Sequence, residues 1–399
     1  MFKQTLAEQL AARTSTLRKE PSPPPHTTTK PDEAKEVKEP DLVDKPVQRT
    51  GCRPICILYE DEKRTADLIK ALDEEGAPEI HKWLVTAGTL DLKRAPSTEM
   101  LYFSRLSASA SIRKHESAIA YGEHVLEWLE YNGCDVINGS KAFSMEISKV
   151  RQCLGLAKHG MTYPETILIA SQSQIAPSVE TWYRVRKPPI FYLKPVTGGS
   201  GDGVRRYTGL GEFKRDMVDR RSSKGMKGSG AIFVVQKGEE EHETWYDNLK
   251  KSKVKGEKKV FYRAEFVDRK LLYCLRVSIP VSVNSSCPCD APTRFDTCFR
   301  VIKDPATHFE DCEGWLVFER KCEAYMVDHD MHVGAFEFSF HGKDVDHVRP
   351  TYYVYDVNAN TNYSDHAEKK IGYDERGMVN QARMLIRFAS KPVGFFIIK

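Results

Sequence analysis

The chain has 399 residues, 40% of them hydrophobic and 29% charged, and 60 lysines and arginines stand against 56 acidic residues for a formal net charge of +4. That near balance excludes a general cationic pull toward nucleic acid, and no run approaches the ~20 apolar residues that a membrane-spanning helix requires. The length allows two or three domains, and ten cysteines without a secretory signal predict reduced thiols in a soluble, cytoplasmic protein.

Met1 to Glu20 mixes Leu and Ala with Arg, Lys and Ser, the composition of a short amphipathic helix. A mitochondrial presequence is the alternative to a cytoplasmic location, and Glu8 counts against it. Pro21 to Val47 is Pro, Lys, Glu and Thr with almost nothing apolar, which cannot offset its ordering entropy. Residues 1–50 are therefore expected to be a disordered segment.

Order is predicted to begin at Arg53, where Pro54 to Tyr59 is a continuous apolar run of the kind that forms a strand buried on both faces. A helix over Glu62 to Glu75 with Gly76 as its stop, a strand near Ile80 to Val85, a helix over Glu116 to Tyr131 and a strand over Cys134 to Ile137 make a βαβ-like series. Residues 51–138 are thus predicted to form a small Rossmann-like α/β domain.

From Gly139 the spacing predicts one helix over Ser140 to His159, ended by Gly160. Strands follow at Thr166 to Ala170, Ile190 to Lys194, Ile232 to Gln236, Val260 to Val267, Leu271 to Val277, His332 to Phe340 and Tyr352 to Asp356. Arg220 to Gly230 and Lys237 to Lys259 have the composition of mobile surface loops.

The strand Phe191-Tyr192-Leu193-Lys194-Pro195 delivers a lysine into Gly198-Gly199-Ser200-Gly201-Asp202-Gly203. Glycines let backbone N–H groups approach phosphate oxygens, and the ammonium adds a point charge beside them; the plain alternative is a flexible hairpin. A Walker loop needs its lysine after the last glycine, where Val204 stands, and a kinase glycine loop lies one strand before its lysine. Farther on, Glu337 sits in an apolar strand, and Asp356 and Asn358 share a face of another by alternation. Two carboxylates and an amide oxygen suit Mg²⁺, whereas as surface acids on edge strands they would bind nothing.

Together these segments resemble the ATP-grasp superfamily, in its RimK-type glutamate-ligase and glutathione-synthetase-like branch, from about Arg53 to the C-terminus. More narrowly, Arg105 to Ala110, Val136 to Ser140 and Asp356 to Tyr363 are similar to a subgroup of it with no assigned substrate. The resemblance implies an ATP-grasp fold, α/β and α+β, over 139–399, with a small lobe at about 165–236. It implies ATP-phosphate contacts from Lys149, Lys194 and the loop glycines Gly198, Gly199, Gly201 and Gly203 with Ser200. Base contacts fall at Gln236 and Lys237, metal ligands at Glu337, Asp356 and Asn358, and catalytic guanidinium groups at Arg263 and Arg276. The acid that would hold the ribose stays open among Glu239, Glu240, Glu241 and Glu243, inside an insertion that departs from the pattern.

The implied activity is ADP-forming amide ligation with ATP and Mg²⁺, Mn²⁺ being the alternative ion. Its substrates would be a small-molecule or peptide carboxylate and an amine; homo-oligomerisation is left open. The same ATP apparatus also suits a kinase-like phosphotransferase or a non-catalytic nucleotide-binding regulator. Cys287, Cys289, Cys298, Cys312 and Cys322 lack the paired spacing of a zinc finger, and Arg105 and Arg113 are placed near the cleft without a firm role.

Overall fold

The computed structural model describes residues 51–198, 203–222, 232–238, 258–280, 298–341, 350–363 and 365–395. The Met1 to Val47 segment, the loop residues Gly199, Ser200 and Gly201, the candidate ribose acids Glu239 to Glu243 and the pair Cys287 and Cys289 lie outside them. Among the described residues no helix is long and apolar enough to cross a membrane.

The first sheet is parallel, with β1 (Ile55–Tyr59), β2 (Ile80–Leu84), β3 (Leu101–Ser104) and β4 (Asp135–Ile137) in the order β2-β1-β3-β4. Every residue of β1 is buried, as its unbroken apolar run requires. Helix α1 (Glu62–Glu74) starts where Asp61 accepts from the Lys63 N–H at 2.9 Å, and α2 (Glu116–Tyr131) packs its Val125, Leu126 and Leu129 into the sheet. The four-residue strand β3, absent from the sequence reading, is wholly buried at the sheet centre.

The single helix expected over Ser140 to His159 is two, α3 (Ser140–Glu146) and α4 (Lys149–Lys158). Two side chains break it. Ser148 caps α4 by accepting from the Arg151 N–H at 3.3 Å, and the Glu146 carboxylate turns inward to accept from the main-chain N–H groups of Ala108 and Ala359. Lys149 thereby opens a helix instead of lying inside one.

The second sheet is antiparallel, β5 (Thr166–Ile169), β6 (Phe191–Pro195), β7 (Arg205–Tyr207) and β8 (Phe233–Lys237) in the order β5-β8-β6-β7. Helices α5 (Ile175–Arg186) and α6 (Leu210–Ser222) close it over a core of Val179, Trp182, Phe191 and Phe213. Strand β7 and both helices were not read from the sequence, and α6 runs into the segment expected to begin a loop at Arg220.

The third sheet is also antiparallel, with β9 (Lys258–Val267), β10 (Lys270–Pro280), β11 (Cys298–Ile302), β12 (Val333–His341) and β13 (Thr351–Asn358) in the order β11-β10-β9-β12-β13. Helix α7 (Cys312–Asp328) packs Trp315, Phe318 and Tyr325 against Phe336, Phe338 and Tyr352 on one face. Helix α8 (Gly377–Ala389) packs Leu385 and Phe388 in a core that joins Tyr273 and Leu275 of β10 to Ile55 and Phe103 of the first sheet and Leu68 of α1.

Beside that apolar core, a seam of polar side chains also ties the first sheet to the third. Asn138, just past β4 at φ +52°, donates to the Val333 and Ala359 carbonyls at 2.7 and 2.5 Å and accepts from the His332 and Val333 N–H groups at 2.7 and 3.2 Å. Arg105, at the end of β3, donates to Asn360 Oδ1, the Thr361 carbonyl and Asn362 Oδ1 at 2.5, 2.9 and 2.6 Å. The carboxyl ends of the parallel strands are thus tied to the chain that leaves β13.

Candidate active site

Strand β12 lies between β9 and β13, so Glu337 occupies an internal strand and is buried. Its register partners are Arg263 on β9 and Asp356 on β13. Between Glu337 and Phe338 the pairing with β13 shifts by one residue, a bulge that takes up Tyr355. Asp356, Val357 and Asn358 then face Glu337, Phe336 and Ala335 in turn, which puts Asp356 and Asn358 on the Glu337 face, as alternation predicts. Asn358 Nδ2 lies 3.5 Å from Glu337 Oε1.

Cations surround these acids. Lys149 Nζ is ion-paired with Asp356, and Gln152 holds the same helix to β13 by donating to the Val357 carbonyl at 2.8 Å. Arg263 Nη1 is 3.3 Å from Glu337 Oε1, its Nη2 donates to Thr361 Oγ1 at 2.6 Å, and its Nε sits 2.8 Å from Glu265 Oε1. Burial works against charge on Arg263, but Glu265, Glu337, Asp356 and Glu146 outweigh it and hold its pKa above the ordinary value. Burial and the neighbouring Asp356 push the Glu337 carboxyl up, against the pull of Arg263, Lys149 and Lys194. Two carboxylates and an amide oxygen thus stand together on one face of the sheet, a set of oxygen donors of the kind a hard divalent cation takes.

The second sheet supplies the opposite wall. Lys194 on β6 is half-buried, with Nζ 5.6 Å from the Tyr192 ring centroid, and its charge acts on both Glu337 and the Cys153 thiol. Gln236 on β8 is 2% exposed, and its Nε2 donates to Thr166 Oγ1 at 3.1 Å while its Oε1 has no hydrogen-bond partner among the described residues. An orphaned buried acceptor at that place suits a ligand's N–H donor. Gly203 has φ +69°, and a Cβ there would stand 3.3 Å from the Pro195 ring, so the turn after Lys194 needs its glycine at this position. Gly198 has φ +153°.

Two of the expected residues are placed differently. Arg276 pairs with Tyr262 across β9, and Tyr262 belongs to the face covered by α7, whereas Arg263 pairs with Leu275 on the other face. Arg276 hydrogen-bonds Ser278 Oγ at 2.9 Å and Tyr262, and alternation along the hairpin keeps it away from Glu337. The Lys237 main-chain N–H is committed to the Glu165 carbonyl at 2.9 Å, so it is not available to a ligand. Of the two arginines near the cleft, Arg105 is consumed by the seam, and Arg113 is paired with the buried Glu60, whose Oε2 also lies 3.0 Å from His115 Nδ1.

Glu146 and Gln152 were not picked out by the sequence reading. Glu146 is buried, linking α3 to Ala108 at 3.2 Å and Ala359 at 2.6 Å, and burial pushes its carboxyl up to about 7. The available signal was an acid with a capping serine two residues on, in a segment otherwise reading as helix. Cys312 and Cys322 are ten residues apart on one helix, about 15 Å by helical rise, too far to share an ion.

No family model matches the chain, and neither does any curated protein. Solved structures do resemble it. D-cycloserine synthetase DcsG is 14% identical, covering 84% of this chain and 99% of that one at a TM-score of 0.55. The ATP-grasp ligase PsnB, complexed with a phosphomimetic variant of its minimal precursor, Mg and ADP, is 14% identical over 85% of this chain and 98% of that one at 0.53. D-alanine–D-alanine ligase from Bacillus anthracis is 15% identical over 85% and 97%, also at 0.53. With a parallel first sheet, two antiparallel sheets and these likenesses along most of its length, the chain has the ATP-grasp fold.

Proposed function

We propose that the chain is an ADP-forming ligase that activates a carboxylate as an acyl phosphate for attack by an amine. The observation that carries this reading is the convergence of Lys149, Arg263, Glu337, Asp356 and Asn358 at the β12–β13 bulge, facing Lys194 and the unpartnered Gln236 Oε1. Solved structures of the same fold include ligases, and PsnB has been solved with Mg and ADP and with a precursor peptide. The ion in this reading is Mg²⁺; nothing in the donor set or the comparisons favours Mn²⁺.

Gln236 Oε1 would accept a hydrogen bond from the adenine amino group. Lys149 and Lys194 would balance phosphate charge from two sides. Glu337, Asp356 and Asn358 would hold Mg²⁺, which when bound supplies positive charge to the transferring phosphoryl group. Arg263, locked by Glu265 and Thr361, would keep its remaining donors aimed at the group in transfer without reorganisation. The carboxylate oxygen displaces ADP from the γ-phosphorus, and the amine then displaces phosphate from the acyl carbon.

Incubation with ATP, candidate amino acids or short peptides and hydroxylamine tests the chemistry. Hydroxamate accompanied by stoichiometric ADP is expected. A stable phosphoester product would assign the chain to kinase-like transfer, and ATP binding without ADP release across the substrate panel would make it a nucleotide-binding regulator.

A further inference from the structure

His159 ends α4, and Asp328 and His329 end α7, so two helix C-termini meet at one point. His159 Nε2 lies 3.3 Å from Asp328 Oδ2, and His329 Nε2 lies 3.7 Å from the same oxygen. One ligand atom from each of the three residues falls within 4.8 Å of the others.

The His329 ring is held in an unusual state. The residue is 8% exposed, yet neither ring nitrogen has a hydrogen-bond partner among the described residues. Space for it exists because position 155 is glycine, where a Cβ would stand 2.8 Å from His329 Nε2 and 2.6 Å from the Tyr325 ring. A buried imidazole with two empty nitrogens is an uncompensated polar group, and an ion on Nε2 compensates it. Lys158 already pairs with Asp328, at 2.7 and 2.9 Å, but a carboxylate has lone pairs for both partners and Lys158 is mostly exposed.

We propose that His159, Asp328 and His329 form a site for a divalent transition-metal ion of the zinc class, separate from the Glu337, Asp356 and Asn358 group. Two imidazoles and one carboxylate select Zn²⁺, Co²⁺ or Ni²⁺ over Mg²⁺, and three protein ligands leave a position for water. The negative ends of both helix dipoles point at the ion. His159 and Asp328 are partly exposed and provide the way in. The bound ion fastens the far end of the helix that carries Lys149 and Gln152 to α7, so its role is to fix α4 in place.

Metal-free full-length protein titrated with Co²⁺ and followed by visible absorption, with Zn²⁺ competition, tests the site. One equivalent should bind with nitrogen–oxygen d–d bands and no intense thiolate band. His159→Gln and His329→Gln should each weaken binding about tenfold or more, while Glu337→Gln leaves it unchanged. Zn²⁺ should raise the Tm of the wild type but not of His159→Gln, whose metal-free Tm should equal the wild type's. Unaltered affinity in His159→Gln, a thiolate band, or loss of the ion in Glu337→Gln would each overturn the assignment.

Discussion

Asn138→Ala is expected to be the most destabilising small substitution at the seam between the first and third sheets. The side chain makes four hydrogen bonds to main chain, two as donor to Val333 and Ala359 and two as acceptor from His332 and Val333, at 2% exposure. At about 1 kcal/mol net for each bond, their loss costs about 4 kcal/mol, and more where water cannot reach the stranded groups. Its φ of +52° adds a backbone term, since alanine is disfavoured there by about 1 kcal/mol and glycine is not. Asn138→Gly should therefore retain roughly 1 kcal/mol more than Asn138→Ala, although both lose the same contacts. Urea unfolding of the three proteins, with a common m-value, measures both differences. A loss below about 1.5 kcal/mol in Asn138→Ala, or a glycine variant weaker than the alanine one, would refute the account, the threshold lying at the upper end of what one bond contributes.

Three further outcomes are expected. Lys194→Ala should weaken ATP binding roughly tenfold or more by calorimetry with the fold intact, the loss of one charge-assisted contact worth about 1.5–3 kcal/mol. Asp356→Asn combined with Asn358→Ala should reduce ADP release far more than ATP affinity, because charge neutralisation matters most as the phosphoryl group transfers; near-normal turnover would make the pair structural. Burial pushes Glu146 from 4.5 to about 7, so the folded state binds a proton that the unfolded state has lost across that window. Stability from this group is present below pH 4.5 and fades as pH rises through about 7, by about 3 kcal/mol. Glu146→Gln should flatten that part of the pH–stability curve measured by urea unfolding, and parallel curves would contradict it.

The sequence by itself determined the elements whose physics is local. An apolar run such as Ile55 to Tyr59 is a buried strand wherever it goes, and the 3.6-residue pattern of Glu116 to Tyr131 ends at Asn132-Gly133 for conformational reasons alone. Two-residue alternation placed Asp356 with Asn358, and the order lysine-then-glycines around Lys194 excluded the other phosphate loops. Only the tertiary structure decided what depends on partners distant in sequence. Glu146 ends its helix with its carboxylate turned inward because its oxygens serve N–H groups at Ala108 and Ala359, on either side of it in the chain and brought together where the first sheet meets the third. Arg263 and Arg276 look alike in sequence, but the hairpin register sends them to opposite faces, one toward Glu337 and the other toward the α7 layer. The same limit hid His159 beside His329, two helix ends that only the packing of α4 on α7 brings within reach of one ion, because proximity across a core is set by packing and not by spacing along the chain.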